Sequence, residues 1–105
     1  MTEEEAIVAF SALAHPLRMR VYRLLMEIGP DGLPAGEVAQ RLDSPPSTLS
    51  PHLAQLERAG LVRTRRERQR IYYAVSVDGT RAVMNFLVED CCGGRPELCG
   101  YKESG

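Results

Sequence analysis

The feature that most restricts what this chain can fold into is a change of hydrophobic period at Gly60. Upstream, apolar residues recur at three- and four-residue intervals: Leu17, Val21, Leu24, Leu25 and Ile28, then Val38 and Leu42, then Leu49, Leu53 and Leu56. That spacing puts them on one face of successive helices. Downstream, LVRTRR and RIYYAV flank a polar turn at Glu67 to Gln69, with Val62 and Thr64 alternating against arginines and β-forming residues filling the second segment. This is the pattern of a β-hairpin. After Asp78-Gly79 the helical spacing returns through Ala82, Val83, Phe86 and Leu87 and runs into Cys91.

Punctuation supports this division. Residues 3 to 14 suit a short helix with Ile7, Phe10, Leu13 and Ala14 on one side. Pro16 fits the first turn of a second helix, where a missing N–H costs nothing. GPDGLP ends it at residues 29 to 34, and a third helix spans about Ala35 to Leu42. DSPPS leads into a fourth helix that closes at Gly60. Pro51 lies inside this fourth helix, deletes one backbone hydrogen bond and is expected to bend or loosen it. The fold class is therefore mainly α with a small hairpin: four helices, two strands and a last helix, the order of a winged helix-turn-helix. No internal repeat interrupts it.

Charge assigns a role to this frame. The net charge of −1 argues against a protein that coats nucleic acid indiscriminately, but residues Arg58 to Arg70 hold six arginines and one glutamate. Arg63, Arg65, Arg66, Arg68 and Arg70 belong to the hairpin, where a wing would meet phosphates of double-stranded DNA. On the fourth helix Ser47, Thr48, Ser50, His52 and Gln55 are short or hydrogen-bonding side chains, suited to phosphates or base edges in the major groove. His15, before Pro16, is expected to be a surface or packing residue. Of Tyr72 and Tyr73, neighbours on one strand, one should pack on the core and the other face solvent or the wing.

The stretch LPAGEVAQRLDSPPSTLSPHLAQLERAGLVRTRRERQRIYYAV resembles the ArsR-type metalloregulatory repressors. The resemblance covers about residues 5 to 92 and is carried most specifically by STLSPHLAQLERAGLV, with Ser50, His52, Leu53, Leu56, Ala59, Gly60, Leu61 and Val62 at the family's positions. It implies a homodimeric operator-binding repressor whose first and last helices form the dimer interface, and whose DNA is released by a ligand. Two sensor sites of that family are missing. The third helix, AGEVAQRL, has no thiol for a Cys-x-Cys arsenic site, and DGTRAVMNFLVED has no histidine for a zinc site on the last helix.

Every cysteine instead lies in EDCCGGRPELCG: Cys91, Cys92 and Cys99. Gly93-Gly94 favours a chain reversal after the last helix, and the following loop is long enough to fold Cys99 back. Structural zinc ordinarily takes four ligands, one more than these thiols supply. Three soft sulfurs suit As(III), or Sb(III), as inducer, and reject hard cations. The tail looks like the Cys-Cys plus downstream Cys arsenite site of some ArsR-like repressors. The expected organisation is a winged helix-turn-helix and dimerisation domain over 1–91 and a ligand-binding tail over 92–105, with no cofactor. Two other readings of the thiols remain open: an idle tail, or a redox switch pairing Cys99 with a neighbour.

A thiol enzyme such as an arsenate reductase is the rival of a different class. A Cys-x5-Arg phosphate loop would identify it, but Glu97, Leu98 and Gly105 stand where the arginine would follow the three cysteines. No stretch is long and apolar enough to cross a membrane, and MTEEEAIVAF is acidic where a signal peptide would be basic. A cytoplasmic regulator, with thiols kept reduced, is the expectation.

Overall fold

Helix α1 (Glu3–Leu13) starts at a capping box. The Thr2 hydroxyl accepts from the Glu5 amide at 3.1 Å, and the Glu5 carboxylate accepts from the Thr2 amide at 2.8 Å. Three glutamates in the first turn add favourable charge at the positive end of the helix dipole. In this computed structural model, which describes residues 1–91, α1 turns its alanines inward. Ala6, Ala9 and Ala12 are buried, whereas Ile7, Val8 and Phe10 are exposed. Of the apolar side read from the sequence, only Leu13 packs against the core. Alanine's small volume lets the helix axis approach α2, and the bulky residues are left on the far side.

Helix α2 (Pro16–Ile28) has His15 as its N-cap, the ring Nδ1 accepting from the Leu17 amide at 3.1 Å. It ends at Gly29, whose φ of 93° is open to glycine. The chain then forms a two-residue strand, β1 (Leu33–Pro34), before α3 (Ala35–Leu42) and α4 (Pro46–Arg58). Strands β2 (Val62–Glu67) and β3 (Arg70–Val75) form the expected hairpin, but the sheet has three strands in the order β1-β3-β2. Leu33 pairs with Tyr73 and Pro34 with Tyr72, while Val62 pairs with Val75 at the base of the hairpin. Pro34 is tolerated because β1 is an edge strand.

Leu25, Leu49, Leu53, Leu56, Leu61, Val21 and Val38 form the inaccessible centre. Each buried leucine contributes about 1.5–3 kcal/mol of hydrophobic stabilisation. Tyr73 packs against this core, and Tyr72 faces the wing. Helix α4 runs uninterrupted through Pro51, although the Ser47 carbonyl loses its usual partner there.

Helix α5 (Val77–Asn85) begins three residues earlier than the sequence reading placed it, so that Asp78-Gly79 lies inside it. Its cap is Ser76, whose side chain accepts from the Gly79 amide at 3.1 Å and whose own amide donates to the Leu61 carbonyl at 2.9 Å. Gly79 is therefore inside the first turn, for want of space: a Cβ there would lie 1.8 Å from the Gly60 carbonyl oxygen. Tyr22 and Thr80 share a hydroxyl hydrogen bond that ties α2 to α5. After Asn85 the helix widens into a π-helical turn, Phe86–Cys91, and Phe10 of α1 meets Phe86 with ring centroids 6.5 Å apart. Among the described residues no helix is long and apolar enough to cross a membrane.

Two glycines should respond oppositely to alanine. Gly36, exposed in α3 with nothing within 4 Å of an added Cβ, should gain about 0.5–1 kcal/mol of stability. Gly79→Ala should lose about 1–3 kcal/mol, because the obstacle is backbone. Urea unfolding midpoints of the two variants check the signs.

Candidate nucleic-acid interface

The buried stripe Leu49, Leu53 and Leu56 fixes which side of α4 faces outward. Ser47, Thr48, Ser50 and Pro51 are exposed over its first half. His52 and Gln55 are half-buried on a flank that faces back toward α1 and α2. There Arg18 Nη1 donates to Gln55 Oε1 at 3.1 Å and lies 3.3 Å from His52 Nδ1. The same guanidinium donates to the Ala12 carbonyl at 2.6 Å and the Ser11 carbonyl at 3.4 Å. The His15 and His52 rings stand 4.4 Å apart at 37°. Burial first, then the charges of His15 and Arg18, lower the His52 pKa from its ordinary value. The five polar residues read from the sequence thus divide into an exposed group and a pair engaged with Arg18.

The wing divides similarly. Arg63 and Arg65 fall on the same side of β2, spaced by two. Arg63 Nη2 donates to the Pro30 carbonyl at 3.2 Å, and Arg65 Nη2 to the Asp31 carbonyl at 3.1 Å. Arg65 also pairs with Glu67 and lies 4.3 Å above the Tyr72 ring centroid. Arg66, Arg68 and Arg70 are exposed, and their side chains make no hydrogen bond or ion pair among the described residues. At the hairpin tip Arg68 holds a φ of 59°, a left-handed conformation uncommon for a residue with a side chain. Thr64 joins the wing to α4 by donating to Glu57 Oε2 at 3.0 Å. Together these groups make a helix with a polar outer face beside a sheet carrying uncompensated cations.

The Helix-turn-helix domain family matches residues 13–65, from the end of α1 into β2. The transcriptional activator HlyU of Vibrio cholerae is 36% identical over 83 residues, 79% of this chain and 74% of HlyU. Its solved structure superposes with a TM-score of 0.67 at 34% identity, covering 88% of this chain and 99% of that one. The chain belongs to the ArsR/HlyU family of winged helix-turn-helix regulators. A crystal structure described as an ArsR family transcriptional regulator agrees with a TM-score of 0.71 at 26% identity, covering 93% of this chain and 99% of that chain. A homodimeric winged helix-turn-helix DNA-binding domain from Mycobacterium bovis has the same fold, with a TM-score of 0.66 at 24% identity over 97% and 89% of the two chains.

In this ArsR/HlyU regulator, α3 and α4 are the helix-turn-helix and β2–β3 the wing. Cys91 closes the π-helical turn. Cys92 and Cys99 lie outside the described residues, so the three-cysteine site expected of the sequence does too. Sequence reasoning missed Arg18. No local signal marks it, because its side-chain partners are 34 and 37 residues away.

The division of the wing gives a salt-dependence prediction. Replacing Arg66, Arg68 or Arg70 with alanine should each reduce the slope of log affinity against log salt by about 0.9 on any duplex, if each neutralises one phosphate. Arg65→Ala should change that slope less and lower stability, because it loses the Tyr72, Asp31 and Glu67 contacts. Titrations at several salt concentrations, with thermal melts, separate the two classes.

Proposed function

We propose that this protein is a cytoplasmic repressor that binds operator DNA as a homodimer and lets go when As(III) or Sb(III) binds Cys91, Cys92 and Cys99. The observation that carries the DNA half is the set of free cations Arg66, Arg68 and Arg70 beside the exposed Ser47, Thr48 and Ser50. The wing holds phosphates, and the first half of α4 enters the major groove. Arg18 holds His52 and Gln55 on the flank of α4, beside the side that enters the groove. Arg63 and Arg65 reach the operator only by releasing the carbonyls of Pro30 and Asp31. No catalytic step belongs to this reading.

The dimer is supported by apolar surface that the monomer leaves uncovered. Ile7, Val8 and Phe10 on α1 and Met84 on α5 are exposed, and the Phe10–Phe86 contact brings the two elements together. A second copy covering this surface would remove it from water. The inducer half rests on the residues themselves. Three thiolates match the pyramidal three-sulfur preference of As(III), and Cys91 ends the turn that extends α5. A ligand gathering the three sulfurs would act on the end of a dimer-forming helix. The coupling is reciprocal, so operator DNA weakens arsenite binding by the factor that arsenite weakens DNA binding.

An operator gel shift with and without arsenite tests both halves. Each of Cys91→Ser, Cys92→Ser and Cys99→Ser should abolish release while leaving ligand-free DNA binding intact, because a serine hydroxyl is a hard, weak ligand for arsenic. X-ray absorption of the wild-type complex should report three As–S bonds. Release by peroxide but not by arsenite would mark a redox switch instead. Phe10→Glu should give a monomer in sedimentation and lose operator binding. A dimeric Phe10→Glu protein would move the interface elsewhere.

A further inference from the structure

The junction between α1, α2 and α4 contains a charged group with no counter-charge. The Arg18 guanidinium is held by four neutral acceptors: two carbonyls at the end of α1, and His52 and Gln55 on α4. Among the described residues the ion pair present is Arg65–Glu67, far along the chain from Arg18. One rigid fork thus fastens the flank of the reading helix to the helix that carries Ile7, Val8 and Phe10. Guanidinium geometry suits this task, since its donors are fixed in one plane and reach several acceptors at once.

We infer that Arg18 is a positioning residue for DNA recognition: it sets the attitude of α4 against α1, and its hold requires His52 to be neutral. The inference rests on the DNA-binding reading above and adds to it the part that fixes the reading helix. The chemistry at His52 is specific. Neutral, with its proton on Nε2, the ring offers Nδ1 to Arg18, 3.3 Å away. Once protonated, both ring nitrogens are donors, so an acceptor is lost and a second cation stands beside the first. The His15 ring packs against that of His52, and its own Nδ1 is occupied in capping α2.

The groups facing His52 are Arg18 and His15 from α2 and Gln55 from α4 itself, with the Ser11 and Ala12 carbonyls of α1 holding the guanidinium. None is anionic. Its lowered pKa agrees with that environment, burial contributing most. The sign follows. The unfolded histidine titrates near about 6.5, and the folded one below it. The stabilising contribution of the neutral ring is complete above the unfolded value and is lost as pH falls through the folded value. The clamp should therefore loosen on the acid side of the histidine range while the fold persists.

The test uses the full chain and two duplexes of equal length. One is the sequence that the wild-type protein selects from a randomised pool at mildly alkaline pH; the other is a scrambled control. Selectivity is the ratio of their dissociation constants. For the wild type it should fall about tenfold as pH drops through the histidine range, a size typical of coupled sites. Arg18→Met should show the reduced selectivity at every pH, with a flat profile and an unchanged salt slope. Arg18→Lys should not rescue it, since one ammonium cannot hold four acceptors.

A wild-type selectivity that rises or stays level in acid would overturn the inference. A rise is the result for a histidine that simply gains a phosphate contact. Full selectivity in Arg18→Met would overturn it as well. Should Arg18→Met fail to fold by circular dichroism, the wild-type profile decides. A wild type that selects no sequence from the pool overturns the DNA-binding reading itself, a failure distinct from loss of the Arg18 effect.

Discussion

The burial of Leu49, Leu53 and Leu56 is the contact on which the arrangement of this protein depends. These three leucines bind α4 to the core through one narrow stripe, which leaves the rest of the helix circumference available for polar work. The serines of the first half are pushed out by the same rotation that turns His52 and Gln55 toward Arg18. A different rotation would expose leucine and bury the hydroxyls without partners, which costs more than any surface contact returns. The polar outer surface of α4 is thus a by-product of where the apolar side chains must go.

Much of this was readable from the residues because it is local. Pro16 and Gly29 bracket α2, Gly60 closes α4, and alternation marks the hairpin, so the winged helix-turn-helix order is present in the sequence. The errors share a cause. Strand β1 has two residues and therefore no period, and it exists through pairing with Tyr72 and Tyr73. The start of α5 was misplaced because glycine ordinarily marks a turn, whereas Gly79 is dictated by the closeness of the Gly60 carbonyl. In α1, alanines and large apolar residues lie on different faces. The choice between them belongs to the neighbouring helix, not to α1.

The candidate site shows the same boundary. The arginines of the wing could be found by counting, but which of them are free could not. Arg65 and Arg66 are adjacent in sequence, yet one is bound to a ring, a carboxylate and a carbonyl while the other faces solvent. Strand pleating separates them. Arg18 was invisible for a further reason: its side chain bridges α1 and α4, and neither end carries a pattern that points to α2.

The left-handed backbone at Arg68 has a consequence for how this sequence can drift. Asparagine or glycine would occupy the hairpin tip with less steric conflict, and a variant screen scored on heat resistance would enrich them there. Such a screen would remove the outermost cation of the wing without disturbing the hairpin behind it. If Arg68 meets phosphate as proposed, robustness and recognition pull in opposite directions at that one position.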